Sequence, residues 1–479
     1  MAPVSARLRD FLPSSRELAL LLASRAVACL SAWHSGFRAL SDDDYARISI
    51  AQRFAHAPHF DPTGTSWLPA PFWFYGAAFR FFGTGLEVAR ATAIVLSLGA
   101  TVLVYLAARL LGASGFSALL GAAFSALLVP YSLLLGIAAV PEVPCAALIL
   151  FATATLVRSE PGLRTLGGLA LLAACWSRYE AWPVALAFAA FGVWDAVRAR
   201  ESGFCWGVAL ALAGPALWLT LGRLEHGDAL FFVARVTAYR RALGGEPSSL
   251  WQRLFEYPRR IIGDAPLLCG SLLFSLIASK NRSDRLALAR ATLTLAALLA
   301  FLMLGSVRDG VPTHHAARVL MPIWYFGAVI LGDLVGRSVT RRSDLRHPVF
   351  VVCLLGLWTS KLELRDAPGA ERALELDAGR AARKYTPSAL VIDTPDYGFF
   401  AVQAGFGSPT GTSVLDEHDP RRASANPFAS PEVLDRTLRS TGARFVVLTP
   451  EHAALLTARC APRWRNARFV LAECAARAE

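Results

Sequence analysis

Eleven apolar stretches punctuate the sequence, near residues 17–38, 87–109, 113–133, 139–157, 165–177, 181–196, 204–222, 261–279, 287–306, 317–336 and 348–361. A helix needs roughly 20 apolar residues to cross a bilayer, so most of this chain is predicted to lie in a membrane. Composition agrees: 18% of residues are charged, against about 25% in ordinary globular domains. The net charge of +12 is mostly arginine set between the apolar runs. That placement follows the positive-inside rule and argues against a nucleic-acid partner.

Sorting the connections by charge gives the orientation. Arg7/Arg9/Arg16, Arg109, Arg158/Arg164, Arg198/Arg200, Lys280/Arg282/Arg285/Arg290 and Arg337/Arg341/Arg342/Arg346 share one side if the spans alternate. That side is expected to be cytoplasmic. Residues 1–16 then form a cytoplasmic tail, with the first run a retained signal anchor rather than a cleaved peptide. The opposite side receives the loops 40–86 and 223–260, the 307–316 connection and everything after Lys361. From 362 to 479 the character changes. "DAPGAERALELDAGRAARKY" reads as a solvated helix, and "SALVIDTPDY", "GARFVVLTPEH" and "NARFVLAEC" read as short strands. Such alternation predicts a small α/β domain. The expected fold is a polytopic α-helical membrane protein of about eleven transmembrane helices over 17–361, with a C-terminal α/β extracytoplasmic domain.

Six of the eight cysteines fall in or beside apolar runs as small buried hydrophobes. Cys460 and Cys474 lie in the polar tail and pair if it faces an oxidising compartment. No Walker loop or dinucleotide fingerprint implies ATP or NAD.

The loop 40–86 holds the densest chemistry. Asp42, Asp43 and Asp44 follow directly on the first span. "DDYARISIAQRFAH" places Tyr45, Ile48, Phe54 and Ala55 on one helix side, as for an amphipathic helix lying in the interface. Trp67, Trp73 and Tyr75 suit the headgroup level. Further along come Pro141-Glu142, Arg178-Tyr179-Glu180, a basic-aromatic segment with Arg240, Arg241, Arg259 and Arg260, and His314, His315 and Arg318 just before a span.

Between 17 and 361 this arrangement resembles the GT-C superfamily of integral-membrane glycosyltransferases, especially the protein mannosyltransferase and aminoarabinose-transferase type. The acidic start of the first outer loop and the block Trp67-Leu68-Pro69-Ala70-Pro71-Phe72-Trp73 match best. Arg90, Tyr105, Arg109 and Gly112 are similar to the second span of such enzymes. The resemblance implies an inverting transferase of the inner (plasma) membrane, moving a sugar from a polyprenyl-phosphate donor to an acceptor hydroxyl on a lipid, glycan or protein.

In that chemistry a carboxylate must accept the hydroxyl's proton, and cations or a metal must offset the leaving phosphate's charge. Asp42, Asp43 or Asp44 is expected as base, with Asp43 marginally preferred. An acidic helix cap is the plain alternative. Glu142 is either a second carboxylate of the site or a solvated loop residue. Arg178 and Glu180 either bind carrier phosphate or form a local ion pair. Arg240, Arg241, Arg259, Arg260, His314 and Arg318 are the other phosphate-binding candidates, with snorkelling to headgroups as the alternative for the loop arginines. Asp42 and Asp44 are candidate ligands for Mg²⁺ or Mn²⁺. The competing class is a transporter or lipid-carrier flippase, which calls for charged or polar residues inside several spans. A non-catalytic envelope scaffold is the third.

Overall fold

The computed structural model describes residues 14–243, 249–278, 282–310, 316–340, 347, 350–351, 354, 372–386, 389–394, 396–415 and 427–475. The helices before residue 200 are α1 Ser15–His34, α2 Asp42–His56, α3 Ala70–Phe82, α4 Leu86–Leu110, α5 Gly115–Ala123, α6 Ser132–Leu135, α7 Glu142–Thr155, α8 Pro161–Cys175 and α9 Ala181–Ala199. Then come α10 Gly203–His226, α11 Phe231–Leu243, α12 Leu250–Asp264, α13 Pro266–Ala278, α14 Arg282–Asp309, α15 Ala316–Val319 and α16 Met321–Thr340. Among the described residues, three helical stretches are long and apolar enough to cross a membrane alone: Leu86–Leu110, Gly203–His226 and Leu288–Asp309. Shorter apolar helices accompany them. Leu186, Val193, Trp194, Trp206 and Leu217 project outward uncovered, as expected of a lipid-facing surface. The last expected run, 348–361, lies almost wholly outside the described residues.

Small residues bring the helices together. A methyl group at Gly168 would run into the Gly207 backbone, and one at Gly207 into Arg164, so α8 and α10 pack backbone to backbone. Gly121 and Gly332 do the same for α5 and α16. Without a hydrophobic drive between helices in lipid, such close approach supplies much of the association.

The expected span 113–133 is interrupted. After α5 the chain makes a π turn, Phe124–Leu128, and then meets Pro130. Proline has no N–H for the carbonyl four residues back, which is that of Ala126. Arg25 of α1 supplies the missing donor, and its guanidinium also bonds Ser97 Oγ (2.8 and 3.0 Å) and Ser132 O (2.7 Å). The mid-span arginine therefore serves backbone repair inside the bundle.

The C-terminal unit comprises α17 Ala373–Tyr385, β1 Leu390–Ile392, α18 Phe399–Phe406, β2 Thr412–Val414, α19 Pro431–Thr441, β3 Phe445–Leu448, α20 Pro450–Ala453, β4 Cys460–Arg465 and β5 Val470–Cys474. Its sheet runs β2-β1-β3-β5-β4, with β2, β1 and β3 parallel and the last two strands antiparallel. α17 and α18 cover one face and α19 the other. Cys460 and Cys474 are disulfide-bonded. β1, β3 and β5 fall on the three runs read as strands. The two outer strands were not anticipated, because β2 has three residues and β4 carries Pro462, which only an edge strand tolerates.

Two expectations change. α17 is half buried, not solvated: Leu376, Ala378 and Ala382 pack inward, and Gly379 and Gly405 let it approach α18 closely. The apolar side of α2 meets protein rather than lipid. Tyr45 and Ile48 are fully buried in a cluster with Phe72 of α3 and Leu376, Ala401 and Ala404 of the C-terminal unit. The C-terminal unit thus sits directly on the first outer loop.

Candidate active site

Successive residues in a helix point about 100° apart, so the three aspartates opening α2 face three different neighbours. Asp44 turns inward and is fully buried. Arg90 Nη1 of α4 lies 2.9 Å from both its oxygens, and the Ala139 N–H donates to Oδ1 at 2.7 Å. Arg90 also bonds the carbonyls of Arg38 and Ile137. Residues 136–141, between α6 and α7, are irregular backbone buried inside the bundle, and buried backbone polar groups need partners. The Asp44–Arg90 pair supplies two of them.

Asp42 turns toward the C-terminal unit. Arg372 grips it with a fork, Nε to Oδ1 at 2.9 Å and Nη2 to Oδ2 at 2.8 Å. Both residues of the metal expectation, Asp42 and Asp44, are thus engaged by guanidinium groups.

Asp43 is different. It is half-buried and, among the described residues, makes no hydrogen bond or ion pair. Arg47, one helical turn on and on the same face, and Arg318 of α15 lie in the field of Glu142 first and of Asp43 second. Neither arginine forms an ion pair among the described residues. Arg47 lies over the Trp67 ring, 4.3 Å from its centre, a cation–π contact. Arg318 reaches the Ser41 hydroxyl at 3.3 and 3.4 Å.

Glu142, at the start of α7, is buried rather than solvated. Its Oε1 accepts from Arg178 Nη1 at 2.7 Å, while its Oε2 is buried without a hydrogen-bond partner. Arg178 in turn forks onto Glu180 at 2.8 and 3.1 Å. Glu142 and Arg178 share the electrostatic field of Arg47 and Arg318, so residues from α2, α7, the α8–α9 corner and α15 converge on one cluster.

Trp67 and its neighbours pack against one another and against other aromatic rings. Trp67 stacks on Phe72, Trp73 packs edge-on against Phe60 and Trp176, and Tyr75 is buried.

The remaining predicted residues lie elsewhere or beyond description. Arg259 and Arg260 are exposed on α12, with Arg260 paired to Glu256 at 2.8 Å. α12 is the amphipathic helix that α2 was expected to be, presenting Leu250, Trp251, Phe255 and Ile262 outward. Arg240 and Arg241 fall on α11 at positions whose side chains lie outside the described residues. His314 lies wholly outside them.

Sequence reasoning missed Arg47, Arg372 and one further cluster. The i, i+4 spacing of Asp43 and Arg47 was a readable signal; Arg372 had none. The further cluster comprises Asp61, Glu225 and His226, whose ligand atoms all lie within 4.8 Å of one another. Asp61 is held by the Thr63 N–H and hydroxyl, and the other two end α10. A mixed imidazole–carboxylate set suits a divalent transition ion better than Mg²⁺.

No protein-family model matches the sequence, and no curated protein matches it. Two crystal structures of ArnT from Cupriavidus metallidurans superpose on it. One is bound to undecaprenyl phosphate (TM-score 0.64, 14% identity) and the other is in the apo state (TM-score 0.62, 13% identity). Each alignment covers 96% of this chain and 98% of that one. The chain shares the ArnT fold. The likeness is one of fold, and it extends over nearly the whole length of both chains. The ArnT fold and its apolar helices make this a multi-pass membrane protein.

Proposed function

We propose that the chain is a membrane glycosyltransferase that moves a sugar from a polyprenyl-phosphate donor to an acceptor hydroxyl on the extracytoplasmic face. One observation carries the reading. Within an ArnT-like fold, Asp43 alone of the three aspartates forms no ion pair among the described residues, and Arg47 and Arg318, which lie in the field of Glu142 and Asp43, form none there either. Burying cations that no ion pair holds is costly, so Arg47 and Arg318 are arranged for an anion that arrives with the substrate.

In this reading Arg47 and Arg318 receive the donor phosphate. Arg318 is the better placed for a forked grip, since Arg47 is held over Trp67. Asp43 accepts the proton of the acceptor hydroxyl as its oxygen attacks the anomeric carbon. The bond from that carbon to the phosphate oxygen breaks, and the carrier leaves as polyprenyl phosphate. Attack opposite the leaving group inverts the anomeric centre. Glu142 holds Arg178 in place and keeps one oxygen for a substrate hydroxyl. Asp42 and Asp44 have no chemical role.

The topology we infer has about eleven crossings, a cytoplasmic N-terminus and the C-terminal unit outside, in the inner (plasma) membrane. The arginine-rich connections and the Cys460–Cys474 disulfide, which suits an oxidising compartment, support it.

The test offers purified protein in nanodiscs a panel of polyprenyl-phosphate sugars with candidate acceptors. Release of polyprenyl phosphate by the wild type, lost in Asp43→Asn, is expected. Movement of the lipid between leaflets with no bond cleaved would establish the flippase reading instead.

A further inference from the structure

Arg372 stands where the C-terminal unit meets the first outer loop. Besides Asp42, its Nη1 bonds Glu375 Oε1 at 3.0 Å and Asp396 Oδ2 at 2.9 Å. Arg468 adds a second cation, 2.7 Å from Glu375 Oε1 and 3.6 Å from Asp396. The place is shaped for this arm. A Cβ on Gly398 would fall 2.9 Å from Asp396 Oδ1, 3.0 Å from Arg372 Nη1 and 3.1 Å from Glu375 Oε1, so these groups would have to shift to admit it.

Mechanical docking does not require Arg372. Gln52 of α2 bonds the Ala404 carbonyl at 3.1 Å, Ser49 bonds that of Phe400 at 3.4 Å, and Leu376, Ala401 and Ala404 pack against Tyr45 and Ile48. What those contacts do not provide is a positive charge for Asp42. Among the described residues, Arg372 is the cation that pairs with it. Removing that cation would leave two adjacent anionic carboxylates at the head of α2, next to Ser41, whose hydroxyl Arg318 bonds. Repulsion between like charges over this range weakens anion binding.

Resting on the functional reading above, the geometry points to Arg372 as a positioning residue of the site. Reaching over from the C-terminal unit, it neutralises Asp42, so that Asp43 is the one aspartate of the triplet whose charge faces Arg47 and Arg318. The site is thereby assembled from both parts of the chain, and its affinity for an anionic lipid headgroup depends on an arginine that need not touch that headgroup.

The test measures binding of undecaprenyl phosphate to the full chain in phosphatidylcholine nanodiscs. Arg372→Gln is expected to weaken binding about tenfold, Arg372→Lys to weaken it less, and Asp42→Asn/Arg372→Gln to restore it. Restoration by removing a second partner is something a merely structural contact does not give. Arg372→Gln binding like the wild type, or a double variant as weak as the single one, overturns the proposal. If Arg372→Gln does not fold, the double variant decides alone: wild-type affinity supports the proposal, and loss refutes it. A wild type that fails to bind the lipid refutes the functional reading itself.

Discussion

α8 carries an arginine cluster at each end, and the two differ in one respect. At its start, Arg164 and Arg290 close on Asp195 at 2.6 to 2.9 Å, tying α8, α9 and α14 together. Beyond its end, Arg178 is held by Glu142 and Glu180, but Arg47, Arg318 and Asp43 beside it form no ion pair among the described residues. The first cluster is closed, and its work is to hold three helices. The second is open and waits for a charge from outside. Arginines beside carboxylates are therefore no signal by themselves; what separates a site from a staple is which charges are left without a partner.

Exchanging an acid at each end breaks the comparison most severely. Asp43→Asn is expected to lower transfer by about 10²- to 10⁴-fold, the worth of a general base, with the thermal transition and lipid binding retained. Asp195→Asn is expected to do the reverse, costing about 3 kcal/mol of stability because two arginines lose their partner, with binding per folded molecule unchanged. Measured turnover and melting of the two variants cross over if the account holds. Equal loss of turnover in both would erase the distinction.

Next in size is the anion site. Arg318→Ala is expected to weaken undecaprenyl phosphate binding roughly ten- to a hundredfold, as when a hydrogen bond to a charged group is lost. Arg260→Ala, on exposed α12, should leave it unchanged. Titration in nanodiscs reads both.

The smallest effect is that of acid on the contact between the C-terminal unit and α2. Burial opposes ionisation of Asp396, but the Gly398 N–H and Arg372 outweigh it and hold its carboxyl below the usual aspartate range. A depressed folded-state value means stabilisation that is complete above about pH 4, the unfolded value, and is lost as pH falls through the folded one. Hydrogen exchange at α18, taken relative to the intrinsic rate at each pH, is therefore expected to stay flat from neutral pH down to about pH 5 and to rise only below about pH 4. The change amounts to a fraction of a kcal/mol, since Asp396 is substantially exposed. A rise centred near neutral pH would point to a different group.

Much of this was legible in the sequence. Apolar runs outlined the bundle, and the three main strands stood out as β-rich runs closed by turn residues. The acids, Glu142, Arg178 and Arg318 were found because charged residues beside apolar runs are few. What stayed hidden depended on direction and distance. Three adjacent aspartates look alike in a string, and only a helix turning 100° per residue gives each a different partner. Arg372 lies 330 residues from Asp42, and nothing local marks it. Asp61 and the pair Glu225–His226 meet only because the outer loop folds back on the end of α10. The interfacial helix was assigned to α2 because its apolar side was visible and the unit that covers it was not.

The most direct measurement is the position of the phosphate in a structure of the protein with undecaprenyl phosphate bound. Phosphate density between Arg47 and Arg318, with the Asp43 carboxylate facing it and Asp42 still gripped by Arg372, is the result predicted. Phosphate held by the arginines of α12, or by the Arg164–Asp195–Arg290 end of the bundle, would contradict the account.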